Sequence, residues 1–129
     1  MLLLLALLAA DVPKPGSDSA QVVVFRSGTL VGGAISCAVH EGGAKLTSLP
    51  PGRYAVLSVT PGPHDLVVAS EAKDTFKIDA QPGATYYAKC TVGAGFMAGH
   101  PHLTSSTEAE FVRMSEKLRP VIGGSSTSK

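Results

Sequence analysis

Residues 21–26 (QVVVFR) are the first of seven short runs rich in β-branched and aromatic residues, and these runs decide the fold. The other six are residues 35–41 (ISCAVHE), 44–49 (AKLTSL), 53–59 (RYAVLSV), 64–70 (HDLVVAS), 75–80 (TFKIDA) and 84–92 (ATYYAKCTV). Side chains of this kind pack well on the pleated surface of a sheet, so each run predicts a strand.

Pairs of glycine and proline residues separate these runs. Gly42 and Gly43 suit a two-residue hairpin, because both central residues of the favoured turn need a positive φ that glycine adopts without strain. The other turn dipeptides are Pro51-Gly52, Pro61-Gly62 and Pro82-Gly83. Frequent turns with no helical segment between strands are typical of a sandwich or barrel. The pattern therefore predicts an all-β fold, an antiparallel β-sandwich of about seven or eight strands with one short C-terminal α-helix.

The helix is predicted over residues 107–118 (TEAEFVRMSEKL), where the hydrophobic period changes. Phe111, Met114 and Leu118 fall on one face at helical spacing, and Ser105 with Glu108 has the spacing of a capping box. A helix this short is only marginally stable in water by itself, so we expect it to pack against the sheet.

The ends of the chain differ from its middle. Residues 1–10 (MLLLLALLAA) form an apolar run that is shorter than the roughly 20 residues of a membrane-spanning helix. The run ends in small residues as a secretory signal does, although no basic residue precedes Leu2. We expect a signal-like leader at 1–10, a linker at 11–19, one domain at 20–119 and a disordered tail at 120–129. A buried N-terminal strand or helix is the alternative for the leader.

Composition excludes some partners. Eleven Lys and Arg against ten Asp and Glu leave a net charge of +1 over 129 residues, and no long basic block is present. A nucleic-acid partner would require a concentrated basic face, so we expect none. The first cysteine is Cys37, so we expect no lipid anchor directly after the leader, and no transmembrane span in the mature chain.

The order of motifs resembles that of one protein family. VVVFR is followed by a glycine-rich hairpin and then by L-x-x-G-x-Y (Leu49, Gly52, Tyr54), V-x-P-G-x-H (Val59, Pro61, Gly62, His64) and P-G-x-x-Y-Y (Pro82, Gly83, Tyr86, Tyr87). With the C-terminal helix, this order resembles the bacterial "domain of unknown function 2846" family over residues 20–119. The resemblance implies a small exported β-sandwich of the transthyretin-like class, and it transfers no catalytic residue.

Two cysteines are candidates for a disulfide. Alternation places Cys37 on the same face as Val39, and Cys90 on the same face as Ala88, so both sulfur atoms are predicted to point into one core. Export would place them in an oxidising compartment, where two cysteines allow one intramolecular bridge. The alternative is a pair of free cysteines that fill the core as small hydrophobic residues.

Met97, His100 and His102 are the candidate metal ligands. They lie close together in FMAGHPH, and histidine and methionine are copper ligands in oxidising compartments. A metal needs a further ligand that the sequence does not identify, and Met97 precedes both histidines, unlike the order Cys, His, Met of a blue-copper loop. A solvated loop with two histidines is the favoured interpretation.

The motifs of catalysis are missing from the sequence. It has no G-x-S-x-G elbow and no acidic pair in an acid-and-base setting, and alternation puts Cys37 and His40 on opposite faces of a strand. We therefore predict a protein that is not an enzyme and takes no cofactor. Tyr86 is predicted to point inward, and Tyr87 outward as a seat for the helix or as part of a partner-binding face.

The predicted function is a non-catalytic structural or protein-interaction domain of the bacterial cell envelope that contacts an unidentified envelope protein through sheet edges or loops. The alternative is a periplasmic metal-binding module that uses His100 and His102.

Overall fold

The computed structural model describes residues 12–28, 36–68, 74–92 and 101–121. These residues form nine strands: β1 (Ala20–Arg26), β2 (Cys37–Glu41), β3 (Ala44–Leu49), β4 (Arg53–Val59), β5 (Gly62–Val68), β6 (Asp74–Ala80), β7 (Thr85–Val92), β8 (Pro101–Ser105) and β9 (Arg119–Pro120). One helix, α1 (Glu108–Met114), lies between β8 and β9 and continues into a 3-10 turn, Ser115–Lys117.

The strands form two sheets. Sheet A has the order β8-β7-β1-β4-β9, and sheet B has the order β3-β2-β5-β6. The predicted all-β sandwich with one short C-terminal helix is thereby confirmed. Two neighbouring pairs, β1 with β7 and β4 with β9, are parallel, which the sequence did not indicate. No hairpin joins the strands of either pair, so turn geometry does not impose an antiparallel direction on them.

β1 lies at the centre of sheet A, and all seven of its residues are buried. Val22 and Val24 belong to the core between the sheets, whereas Val23 and Phe25 belong to a second apolar cluster on the outer face of sheet A. A strand that is covered on both faces needs apolar residues at successive positions. This explains the uninterrupted apolar run Val22–Phe25 in QVVVFR.

A buried cation at the end of β1 joins the two sheets. Arg26, only 3% exposed, ends β1 and donates a hydrogen bond from a guanidinium nitrogen to the Leu49 carbonyl oxygen at 2.8 Å. Leu49 ends β3 in the other sheet, so this hydrogen bond joins sheet A to sheet B next to the turn that leads into β4.

The Gly42-Gly43 hairpin is also confirmed, since these residues connect β2 to β3 with φ values of 60° and 87°.

Two parts of the sequence prediction need correction. Pro101–Ser105, interpreted as loop in its first half, forms β8, which pairs with β7 at the edge of sheet A. Proline lacks a backbone donor, but it is tolerated as the first residue of an edge strand. The ordered chain also extends past residue 119, because Pro120 belongs to β9 and the Val121 amide donates to the Tyr54 carbonyl oxygen at 2.9 Å.

The helix has the predicted apolar face but a different cap. Phe111 is buried and Met114 is half-buried, as the spacing predicts, but the α-helix ends at Met114 rather than at residue 118, and the buried Leu118 follows the 3-10 turn in extended backbone. The residue that caps the helix is Thr107, whose side-chain oxygen accepts a hydrogen bond from the Glu110 amide, whereas Ser105 belongs to β8. Thr107 and Glu110 have the same capping-box spacing as Ser105 and Glu108, so the sequence pattern alone did not decide between the two pairs.

Candidate functional site

A groove of about 530 Å³ lies on the outer face of sheet A, between the segment that precedes β1 and helix α1. Its size is within the range of about 300–1,000 Å³ that is typical of ligand sites. The apolar part of its lining comprises Val12, Pro13, Pro15, Tyr87, Phe111 and Val112. Polar side chains in the lining are those of Lys14, Gln21, Thr85 and Glu108.

Gln21 builds one wall of this groove. Its side chain is buried, and its amide nitrogen donates to the Pro13 carbonyl oxygen at 2.7 Å and lies 3.1 Å from the Thr85 hydroxyl oxygen. The first of these bonds holds the N-terminal segment over the sheet, because a buried amide left without a partner would be costly. Residues 12–15, predicted as part of a linker, therefore form the side of a groove.

Aromatic rings form the floor. The Tyr87 and Phe111 ring centroids are 5.7 Å apart, and Phe111 also contacts Phe25 and Tyr54 at 5.3 Å each. The prediction that Tyr87 is a seat for the helix is therefore confirmed, and Tyr87 lines the groove as well. Burial and the nearby Glu108 carboxylate raise the pKa of Tyr87, so its hydroxyl stays protonated at neutral pH. The floor thus combines an apolar surface with one neutral hydroxyl group.

The helical wall is held in place by ionic contacts. Lys89 Nζ on β7 lies 2.9 Å from Glu110 Oε2, and the Ser106 hydroxyl donates to Glu110 Oε1. Hydrogen bonds from Ser106 and Lys89 lower the pKa of Glu110, which keeps this carboxylate ionised. The rim of the groove combines the charged Lys14 and Glu108 with one apolar side chain, Val112 of α1, which is 50% exposed.

The sequence predicted the positions of two groove residues, Tyr87 on the outer face of its strand and Phe111 on the apolar face of the helix, but it did not predict the groove. Gln21 was a usable signal, because a lone amide at the head of an apolar strand must find partners when it is buried. The contribution of Pro13 and Glu108 depends on how the helix and the N-terminal segment meet on one sheet, which no local pattern reveals.

A second polar cluster lies at one end of sheet B. His64 on β5 places Nδ1 2.5 Å from Glu41 Oε2 and Nε2 2.6 Å from the Thr60 carbonyl oxygen. Both partners accept hydrogen bonds, so this arrangement favours the doubly protonated ring, in which both nitrogens donate. Burial lowers the pKa of His64, but the hydrogen bonds with Glu41 and Thr60 and the charge of Glu41 outweigh it, so the pKa lies above its ordinary value.

We expect the Glu41–His64 pair to stabilise the fold in acid and to lose this contribution as the pH rises. The pKa of His64 is higher in the folded than in the unfolded chain, so the contribution is complete below about pH 6.5 and disappears above the raised pKa. Urea unfolding of wild type and Glu41→Gln across this range should show a stability difference that shrinks with pH. Asp65→Asn, which removes an exposed ion pair of the same sheet, is the control without this trend. A difference between wild type and Glu41→Gln that grows with pH would contradict the assignment.

Cys37 and Cys90 lie at disulfide distance. Their Cα atoms are 6.7 Å apart, they are separated by 53 positions in sequence, and both are buried in the core between the sheets. Cys37 begins β2 in sheet B and Cys90 is near the end of β7 in sheet A, so a disulfide between them would join the two sheets. The prediction that both sulfur atoms point into one core is confirmed.

The candidate metal ligands are not brought together by the described residues. His102 is half-buried on β8 opposite Thr91 of β7, whereas Met97 and His100 lie outside the described residues. Within residues 12–28, 36–68, 74–92 and 101–121, no group of three or more His, Cys, Asp or Glu side chains is placed to hold a metal ion. The metal site therefore stays a prediction.

Residues 16–101 match the sequence pattern of a family described as "Protein of unknown function (DUF2846)". No curated protein and no solved structure matches the chain. No helix among the described residues is long and apolar enough to span a membrane. The family match covers more than half of the chain and includes β1 to β7, so the protein belongs to the DUF2846 family.

Proposed function

We propose that this chain is an exported, non-catalytic protein-interaction domain of the bacterial cell envelope, and that the groove on the outer face of sheet A binds an apolar segment of an envelope protein. The observation that carries this proposal is the groove itself, with an aromatic floor of Tyr87 and Phe111 and the exposed Val112 on its rim.

The groove is better suited to binding a partner than to catalysing a reaction. Protein interfaces are enriched in aromatic residues at their centre and polar at their rim, and the floor and the charged Lys14 and Glu108 follow this arrangement. The other described titratable clusters serve the fold: Glu110 secures α1, and His64 joins β5 to the end of β2. General acid or base catalysis would need a titratable group in reach of a bound reactant, and Glu108 is the one carboxylate among the described lining residues.

Two observations support export. The apolar run at residues 1–10 has the pattern of a secretory signal, and the cysteine pair lies at disulfide distance in the core. Disulfides persist in oxidising compartments and are rare where thioredoxin and glutathione keep thiols reduced. The family resemblance, to bacterial proteins, makes the envelope the proposed compartment.

The proposal is tested by the variant Val112→Glu, used as bait with an envelope extract from the source cells. A charge at the apolar position 112 would have to be desolvated on binding, so we expect the amount of partner protein that is retained to fall at least about tenfold relative to wild type, measured by quantitative mass spectrometry. Val112 is half-exposed, so the fold should survive.

The matched control is Lys45→Glu, an exposed residue on β3 at the far edge of sheet B. It changes charge without touching the groove, and we expect it to retain the partner as wild type does. Equal retention by all three proteins would rule out the groove as the binding site, and loss from both variants would indicate a general effect of charge.

A further inference from the structure

Three arginines lie side by side at one end of sheet A, on the neighbouring strands β1, β4 and β9. Arg53 is the register partner of Arg119 in the parallel pair of β4 with β9. Phe25 is the partner of Tyr54 in the antiparallel pair of β1 with β4, so Arg26 and Arg53 follow at the next position of that pair. The row of arginines therefore crosses three adjacent strands.

This row is on the face of sheet A that looks toward sheet B, at the place where the apolar core ends. Register partners on neighbouring strands have their side chains on the same face of a sheet, and so do residues two positions apart. Ala55 and Val121, two positions after Arg53 and Arg119, pack against the core between the sheets. Arg53 is half-buried and Arg119 is exposed, so solvent reaches both side chains.

Two of the three charges have no partner in the part of the chain that the structure describes. Arg26 is buried and its guanidinium group is already engaged, since it donates to the Leu49 carbonyl oxygen at 2.8 Å. Arg53 and Arg119 form no ion pair and no side-chain hydrogen bond with any described residue. Like charges at paired positions destabilise a sheet, and an arginine does not relieve the repulsion by losing its proton. A bound anion would remove this cost.

We propose that Arg53 and Arg119 form a binding site for a phosphate monoester. A guanidinium group presents its N–H donors in a planar fork that matches two oxygens of a phosphate group. Neighbouring strands are about 4.8 Å apart, so two arginines at paired positions reach one phosphate group. A phosphate monoester carries a charge of about −1.5 to −2 at neutral pH, so a single group balances both arginines, whereas a carboxylate balances one. The groove lies on the opposite face of sheet A, so this site is separate from it.

A bound phosphate would also fasten β9 to β4. β9 has two residues, and backbone hydrogen bonds join it to β4 from the Arg119 amide to the Gly52 carbonyl oxygen at 3.0 Å and from the Val121 amide to the Tyr54 carbonyl oxygen at 2.9 Å. A ligand that bridges Arg53 and Arg119 joins the same two strands. Binding should therefore slow hydrogen exchange at the Arg119 and Val121 amides, because a ligand of the folded form opposes local opening.

Titration of the full chain with inorganic phosphate, followed by NMR of the backbone amides and arginine side chains, tests the site. We expect one site with a dissociation constant on the order of 1 mM, with the shift changes centred on Arg53 and Arg119. Hydrogen exchange at Arg119 and Val121 should slow in phosphate. Sodium chloride at the same ionic strength is the control, because it screens the repulsion without bridging the arginines. Acetate should bind at least about tenfold more weakly, since it carries a single charge.

Substitutions separate the planar forks from the charge. Arg53→Gln and Arg119→Gln each remove one fork, and we expect each to weaken phosphate binding by about tenfold. The double variant R53K/R119K keeps both charges and loses both forks, so it should also bind more weakly than wild type. The matched control is Arg113→Gln, an exposed arginine of α1, which should bind phosphate within about twofold of wild type because its charge is screened. Thermal unfolding shows that each variant is folded.

Vesicles distinguish a lipid phosphate from a soluble one. Cosedimentation with phosphatidylcholine vesicles that contain phosphatidic acid, lost in R53Q/R119Q, would assign the site to a lipid headgroup. Binding of inorganic phosphate without retention on these vesicles would assign it to a soluble phosphate monoester. Equal phosphate affinity of wild type and R53Q/R119Q would overturn the proposal, as would the absence of shift changes at Arg53 and Arg119 up to about 100 mM phosphate. Val112→Glu should bind phosphate as wild type does, so the groove and this site are tested independently.

Discussion

Removal of the Cys37–Cys90 disulfide is expected to lower the free energy of unfolding by about 4 kcal/mol, the loop-closure contribution for a bond that encloses some 50 residues. The bond restricts the unfolded chain, because it joins β2 to β7 across most of the family-matched region. It also connects the two sheets, which are joined in addition by apolar contacts and by hydrogen bonds from Arg26 to Leu49 and from Tyr86 to Asp79. A single domain has a total stability of only about 5–15 kcal/mol, so this loss is large.

Urea unfolding of the wild type with and without dithiothreitol measures this effect without a change of sequence. The double variant Cys37→Ala with Cys90→Ala is the second measurement, and it should be insensitive to the reductant. When the protein is isolated without reductant and then denatured, a thiol reagent should label neither cysteine. Labelling of both cysteines, together with identical unfolding curves in the presence and absence of dithiothreitol, would show that the bond does not form.

Phe111→Ala is expected to cost about 3 to 5 kcal/mol of stability, the range for large-to-small substitutions of a buried aromatic residue. Phe111 is 2% exposed, and its ring contacts those of Phe25, Tyr54 and Tyr87. A helix of seven residues does not persist in water by itself, so the loss of its main apolar contact should release α1 from sheet A. Hydrogen exchange should then show the amides of α1 opening before those of β1.

Val112→Ala is the matched control for this substitution. It lies next to Phe111 on the same helix, but half of its side chain is exposed, so we expect a change within about 0.5 kcal/mol. Alanine is also the better helix former, so backbone propensity cannot account for a loss in either variant. Equal effects of the two substitutions would mean that Phe111 is not the anchor of the helix.

Much of the site follows from local patterns, but its assembly does not. Tyr87 was predicted to point away from the core because Tyr86 occupies the inward position, and Phe111 was predicted to face the sheet because of its spacing with Met114. The groove also depends on the hydrogen bond from Gln21 to Pro13, eight residues earlier in a segment without any periodic pattern. The pairing of His64 with Glu41 joins residues 23 positions apart, and neither residue alone indicates the other.

The sequence by itself determined the strands, their turns and the apolar face of the helix, because each depends on residues that are close in the chain. Gly42 and Gly43 set a hairpin, and alternation in residues 35–41 and 84–92 directed both cysteines inward. Only the tertiary structure decided that β1 and β7 run parallel, that Pro101–Ser105 is an edge strand, and that Glu41 meets His64. These features depend on contacts between distant segments, whose free energy comes from burial and hydrogen bonds that form only once both sheets are assembled.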